Sequence, residues 1–375
     1  MAVLTEEQTM LRDAAKGWAS ESAPVAALRK LRDGGSKQSF DPAAWAEMGQ
    51  MGWAGVIVPE AYDGSAFGYL GLGLILEETG RTLAASPLLS TAMIAASALQ
   101  LGGSDAQKQA WLPRIAAGEA VATLAVDEGS HHNPARIALT ATKSGDGFVL
   151  NGTKTFVLDG EAADLLIVAA RTSGSGTDGL TLFLVPGDTA GVTRTHLALA
   201  DSRGAARIAF DGVQVAADAV LGQVDQGWAV LEPTLDRAYA GVAAEMLGSA
   251  SAAFDITLDY LKTRTQFGQV IGTFQALQHR AAKWFTDLET TRSCVEAALE
   301  ALDAGGDTRA LASLAKAKAS ELVHLASNEM VQMHGGIGMT DAHDAGLYMK
   351  RARVTEALFG GASFHRDRYA RLMGF

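Results

Sequence analysis

At 375 residues the chain has room for two or three packed units, and with 48% hydrophobic and 19% charged residues it is neither disordered nor a collagen-like fibre. No run approaches the ~18 uninterrupted apolar residues that a membrane-crossing helix needs. A net charge of -11 repels a phosphate backbone, which argues against a nucleic-acid partner. The lone Cys294 cannot close an intrachain disulfide, and MAVLTEEQTMLRD carries acids where a secretory signal would carry lysines. The expectation is a soluble, cytoplasmic protein.

The chain opens helical. Thr5-Glu6-Glu7-Gln8 has the spacing of a capping box, and Leu11, Ala14 and Trp18 follow at helical intervals. Asp41-Pro42 reads as a cap with proline at the first helical position, ahead of Trp45 and Met48. GYLGLGLILEETG predicts a buried helix, and Ser104 to Gln107 repeats the capping box before Trp111 and Ile115. After Gly118 the period changes: strands are predicted over Ala138–Lys143, Phe148–Leu150 and Thr153–Leu158, separated by tight turns at Gly145-Asp146-Gly147 and at Asn151-Gly152, the stronger hairpin signal, and further strands in LLIVAART, GLTLFLVP and ARIAFDGVQV. From Trp228 the helical period returns in four long segments, about 235–263, 273–303, 308–334 and 343–372. The predicted architecture is mostly α with a central β domain: an N-terminal helical domain over 1–117, a β-barrel-like middle domain over 118–224 and a C-terminal four-helix bundle over 225–375.

No P-loop, no G-x-G-x-x-G between strand and helix and no G-x-S-x-G elbow is present. His131 and His132 lack further ligands at metal-binding spacing and read as a solvated loop; no metal site is expected, and Cys294 reads as a small packed residue. Two segments carry more. In Arg264-Thr265-Gln266-Phe267-Gly268, followed by Phe274-Gln275, an arginine at a helix end and an aromatic in a tight connector suit an anionic phosphate beside a flat ring, or simply form a helix-helix turn. In Gln332-Met333-His334-Gly335-Gly336-Ile337-Gly338, three glycines let a ligand or another backbone approach, or mark a helix cap and loop.

With the helical–β–helical order, these segments make the chain resemble the acyl-CoA dehydrogenases, flavoproteins that desaturate acyl-CoA thioesters at the α,β position in lipid β-oxidation. GEAVATLAVDEG and NGTKTFVLDG also sit where that family's β-domain motifs sit. The resemblance implies FAD as cofactor, a tetramer with each flavin at a subunit interface, and electron-transferring flavoprotein as acceptor. It also implies that Arg264, Gln266, Phe267, Gln275, Gln332, Gly335 and Gly336 face a neighbouring subunit's FAD. Asp236, Arg237 and Tyr239, on the first bundle helix, and Gly360 would line the acyl-CoA site, with the Gly360 N–H offered to the thioester oxygen.

The sequence departs from the family pattern where the base should be. Family members carry a glutamate in a Tyr-Glu-Gly-Thr segment, here Phe359-Gly360-Gly361-Ala362, or on the first bundle helix, where this chain has Ala238. Both base positions are empty. Asp236 is the remaining candidate, and as an acid near a helix start it reads first as a cap. The Thr-Glu-Pro segment appears as Asp127-Glu128-Gly129 and Trp-Ile-Thr as Phe156-Val157-Leu158, which removes two hydroxyl donors to the flavin. Groups lent to a neighbour are intact while groups for the chain's own flavin are lost. That pattern implies a subunit of a heteromeric dehydrogenase, resembling those of steroid side-chain breakdown, whose partner supplies the glutamate. A stand-alone homotetramer with a non-standard base, or a non-catalytic homologue, are the alternatives.

Overall fold

The computed structural model describes residues 3–34 and 40–375. It divides into two compact units, the first made of Met1–Lys30, Gly73–Ala84 and Tyr239–Phe375, the second of Leu31–Leu72 and Ala85–Ala238.

Helix α1 (Glu6–Glu21) opens the first unit on the predicted capping box, in which Thr5 accepts from the Gln8 N–H and Gln8 reaches back to the Thr5 N–H. Short helices α2 (Val25–Asp33) and α3 (Pro42–Gln50) follow in the chain, α3 capped by Asp41, and then α4 (Tyr69–Arg81). The C-terminal helices are α7 (Trp228–Thr263), α8 (Gln275–Ala304), α9 (Arg309–His334), α10 (Ala345–Ala357) and α11 (Ala362–Leu372). Helix α9 is the hub, packing against α8, α10 and α11. The fourth predicted bundle helix is therefore two helices, broken at Leu358–Gly361, where Phe359 and Gly360 take φ of 54° and 94°. Two residues in the left-handed region end an α-helix whatever the hydrophobic period says.

Ion pairs, one buried and one half-buried, tie these helices together. Arg351 on α10 makes a two-pronged pair with Glu245 on α7 at 2.9 Å on each prong, and Arg292 on α8 meets Glu77 on α4 at 2.5 Å. Where α4 crosses α7 the backbones nearly touch. A Cβ on Gly248 would run into the Glu77 carbonyl oxygen, and one on Gly80 into that of Glu245. Only glycine fits on either side of that crossing.

The second unit holds α3, a π-helical turn (Leu88–Ala95) running into α5 (Ala96–Gly102), α6 (Asp105–Ala116) on its predicted capping box, and an eight-stranded sheet. Its strands are β1 (Ala122–Ala125), β2 (Thr140–Ser144), β3 (Gly147–Leu158), β4 (Leu165–Arg171), β5 (Leu180–Pro186), β6 (Val192–Ala198), β7 (Gly204–Val215) and β8 (Val220–Leu221). The order is β6-β7-β3-β2-β4-β5-β8, with β1 parallel to β4. Asn151-Gly152 does not turn the chain. The hairpin closes at Gly145-Asp146, with Ser144 opposite Gly147, and β3 runs on through Asn151. The irregularity here is a bulge on β7, where Asp211 and Gly212 together face Asn151, and Asn151 Oδ1 accepts from the Gly212 N–H at 2.8 Å; Gly152 stays within β3 at φ 143°. Strands β4 and β5 are buried almost throughout, as their unbroken apolar runs require. Among the described residues no helix is long and apolar enough to cross a membrane.

Candidate active site

In the first unit the two motif segments stand on one apolar cluster. Leu261, Ile271 and Met333 form its buried centre, with Tyr260, Phe274 and Leu277 packed against them. Between α7 and α8 the chain makes a two-residue hairpin, β9 (Thr265–Gln266) against β10 (Gln269–Val270). Phe267 and Gly268 at its tip both have positive φ, 54° and 79°, the geometry of a type I′ turn. The Arg264 N–H bonds the Tyr260 carbonyl, and the Tyr260 ring stacks 4.4 Å from His334 at the end of α9. The arginine hairpin and the glycine-rich segment are thus brought together by Tyr260 and His334.

What this corner presents outward is polar, cationic and aromatic. Arg264, Gln266, Gln275, Gln332, Gly335 and Gly336 are exposed, and Phe267 is 90% exposed. No side-chain hydrogen bond or ion pair of Arg264 occurs among the described residues. A Cβ on Gly335 or Gly336 would meet nothing within 4 Å, so a flat group can reach the backbone there. A guanidinium, carboxamides and an open ring make a surface suited to a phosphate joined to a planar heterocycle.

The second unit carries the altered β-domain motifs. Asp127 is not a lone acid, because His132 Nδ1 lies 2.9 and 3.0 Å from its two carboxylate oxygens. His132 is buried, which corrects the solvated-loop expectation: its imidazole folds back under the loop onto Asp127. His131 stays exposed. Glu128 accepts the N–H groups of Ala138 and Leu139 and pairs at 2.7 Å with Lys154, whose fully buried amine donates also to the Val126 carbonyl. Burial drives the Lys154 pKa down to about 8 against the pull of Glu128. Phe156, in the bulge that follows, is 42% exposed at φ 52°. Of these partners only Lys154 carried a signal in the sequence, the i, i+2 alternation that turns it inward; the loop spacing of Asp127 and His132 carried none.

Around Ala238 and Gly360 the helices give a correction. Asp236 lies eight residues inside α7 and is 1% exposed, so it is not a cap. The helix begins at Trp228 and runs through Pro233, which gives up one hydrogen bond to the Ala229 carbonyl. Ala238 and Tyr239 are also buried. Arg237 stacks on Tyr69 at 4.9 Å and donates to its hydroxyl at 2.7 Å, so its charge is spent inside its own unit. Tyr239 packs edge-on to His365 at 4.5 Å. The Gly360 N–H already bonds the Ala357 carbonyl at 3.1 Å and must share or release that bond to serve a thioester oxygen. Among the described residues no cluster of three or more metal-ligand side chains occurs, and Cys294 is half-buried with its thiol pKa raised by that burial.

Family models for the acyl-CoA dehydrogenase N-terminal, middle and C-terminal domains match residues 5–119, 123–213 and 225–374. A probable acyl-CoA dehydrogenase of Bacillus subtilis, YngJ, is 31% identical over 373 residues, 97% of each chain. The chain belongs to the acyl-CoA dehydrogenase family. This family is FAD-dependent and oxidises acyl-CoA thioesters. Among solved family structures, the butyryl-CoA dehydrogenase of Megasphaera elsdenii superposes with a TM-score of 0.93 at 26% identity, over 100% of this chain and 99% of that one. The ChsE4-ChsE5 complex from Mycobacterium tuberculosis gives 0.91 at 28% identity, over 100% of both chains.

Proposed function

We propose that this chain is one subunit of a heteromeric acyl-CoA dehydrogenase, with a homologous partner that supplies the catalytic glutamate and the flavin's ring-side walls. The observation that carries this reading is the contrast between an intact outward-facing corner, Arg264, Phe267 and Gln332 to Gly336, and base positions occupied by a buried Ala238 and by Gly360. That one solved relative is a complex of two named chains supports it.

FAD, when bound, would supply the oxidation as a hydride acceptor. The residues present fit its phosphate and adenosine end. Arg264 would hold the pyrophosphate, a task suited to its planar fork. Phe267 would lie against a flat ring, the carboxamides of Gln266, Gln275 and Gln332 would serve the polar edges, and Gly335 and Gly336 would let the ligand meet bare backbone. The fit fails at the ring end. Asp127 is locked to His132 and Leu158 has no hydroxyl, so neither donates a neutral hydrogen bond. A broad CoA thioester such as a steroid side chain, bound at the partner's site, and electron-transferring flavoprotein as acceptor are what this reading implies.

The test is the FAD content of the chain purified alone and of its complex with a co-expressed homologue. Little flavin alone and about one FAD per pair in the complex is expected. One FAD per chain in the protein alone, with acyl-CoA turnover, overturns the proposal.

A further inference from the structure

The turn between α10 and α11 is held from three sides. Lys316 on α9 is fully buried and donates from Nζ to the carbonyl of Gly360 at 2.8 Å, that of Glu356 at 3.3 Å and Ser320 Oγ at 3.1 Å. His365 Nε2 lies 3.0 Å from the Phe359 carbonyl, which, as an acceptor, places the proton on that nitrogen. With Phe359 and Gly360 both left-handed, this backbone persists only because its surroundings over-determine it.

The third side is Phe364, in the first turn of α11. A Cβ on Gly360 would stand 2.6 Å from Phe364 Cδ1 and 2.9 Å from Cγ, well inside van der Waals contact. The clash is with the root of the ring, not with a flexible tip that could swing aside. The ring is braced edge-on against His365 at 5.1 Å, and His365 is braced in turn by Tyr239. Beside Gly360 there is no vacancy left by a lost acid; an aromatic ring fills the place.

We propose that Phe364 closes this chain's own acyl site, excluding both a carboxylate and the thioester carbon it would act on. This rests on reading Gly360 as the family's base position. Loss of the acid alone would leave a cavity that an acyl-CoA could enter and sit in unproductively. A ring in that volume denies entry, so thioester is left to the partner's site. Phe364 is a specificity-determining residue by exclusion.

The test is a double-mutant cycle on the full chain, using Gly360→Ala, Phe364→Ala and the pair, read by thermal unfolding and by calorimetric titration with butyryl-CoA. The left-handed strain that Gly360→Ala introduces is common to both backgrounds, so the cycle isolates the ring. Gly360→Ala is expected to lower Tm by several degrees where Phe364 is retained, and by less than half as much in the Phe364→Ala background. Phe364→Ala is expected to bind butyryl-CoA at least tenfold more tightly than the unaltered chain. If Phe364→Ala does not fold, Phe364→Val serves the same cycle. Equal cost of Gly360→Ala in both backgrounds, or unchanged butyryl-CoA affinity, overturns the proposal. The FAD content of the unaltered chain is measured separately, so failure of the heteromeric reading is distinguishable from failure of this one.

Discussion

Arg264→Ala separates a residue that serves the chain from one that serves a neighbour. The side chain is exposed and has no hydrogen bond or ion pair among the described residues, so its removal leaves no buried group orphaned. Exposed substitutions of that kind change stability by about 0.5 kcal/mol or less, which in a chain of this size moves Tm by less than about 2 °C. A charged hydrogen bond to a pyrophosphate contributes roughly 1.5–3 kcal/mol, a factor of about ten to 150 in affinity. The assay is FAD dissociation from the assembled complex, followed by recovery of flavin fluorescence, beside a melting curve of the variant chain alone. An unchanged FAD affinity refutes the lending role. A Tm loss of several degrees refutes it differently, by showing that Arg264 stabilises its own chain.

Glu245→Gln strands the buried Arg351 guanidinium, and denaturant unfolding should show a loss of about 3–5 kcal/mol; Asp367→Asn, which breaks an exposed pair with Arg371, should cost under about 1 kcal/mol. Asp236→Asn should leave turnover of the assembled complex intact, because the base belongs to the partner; a hundredfold fall in kcat would give the chain a base of its own. Lys316 predicts a pH slope. Burial pushes its pKa down to about 7, below the ordinary lysine range, so between those two values the unfolded chain binds more protons and stability rises with pH. Replacing it in Lys316→Met should flatten that rise between about pH 7 and 10 in urea titrations, relative to the unaltered chain.

Local chemistry was legible wherever one residue type dictates one geometry. Both capping boxes and the Asp41 cap stand where their spacing puts them, because a hydroxyl and an amide three residues apart have few other uses. The long α7, α8 and α9 were equally plain from their apolar period. Asn151-Gly152 misled, because the pair continues a strand when a distant one, β7, pairs with it and takes up the irregularity in its own bulge at Asp211-Gly212. The break at Leu358–Gly361 is likewise tertiary, fixed by Lys316 and His365. At the candidate site, Arg264 and Gly335 could be picked out by motif. The burial of His132 against Asp127 could not, since a pair of adjacent histidines looks the same in a loop whether one of them folds inward or not.

The crossing of α4 and α7 bears on how such a protein can diverge. Gly80 and Gly248 each lie under a carbonyl of the opposite helix, so neither admits even a methyl group unless the helices move apart, and moving them would disturb the ion pairs of Glu77 and Glu245 on either side. After a gene duplication, two daughter copies could drift freely at an acid, a hydroxyl or a pocket wall, trading one activity for a division of labour. They could not drift here.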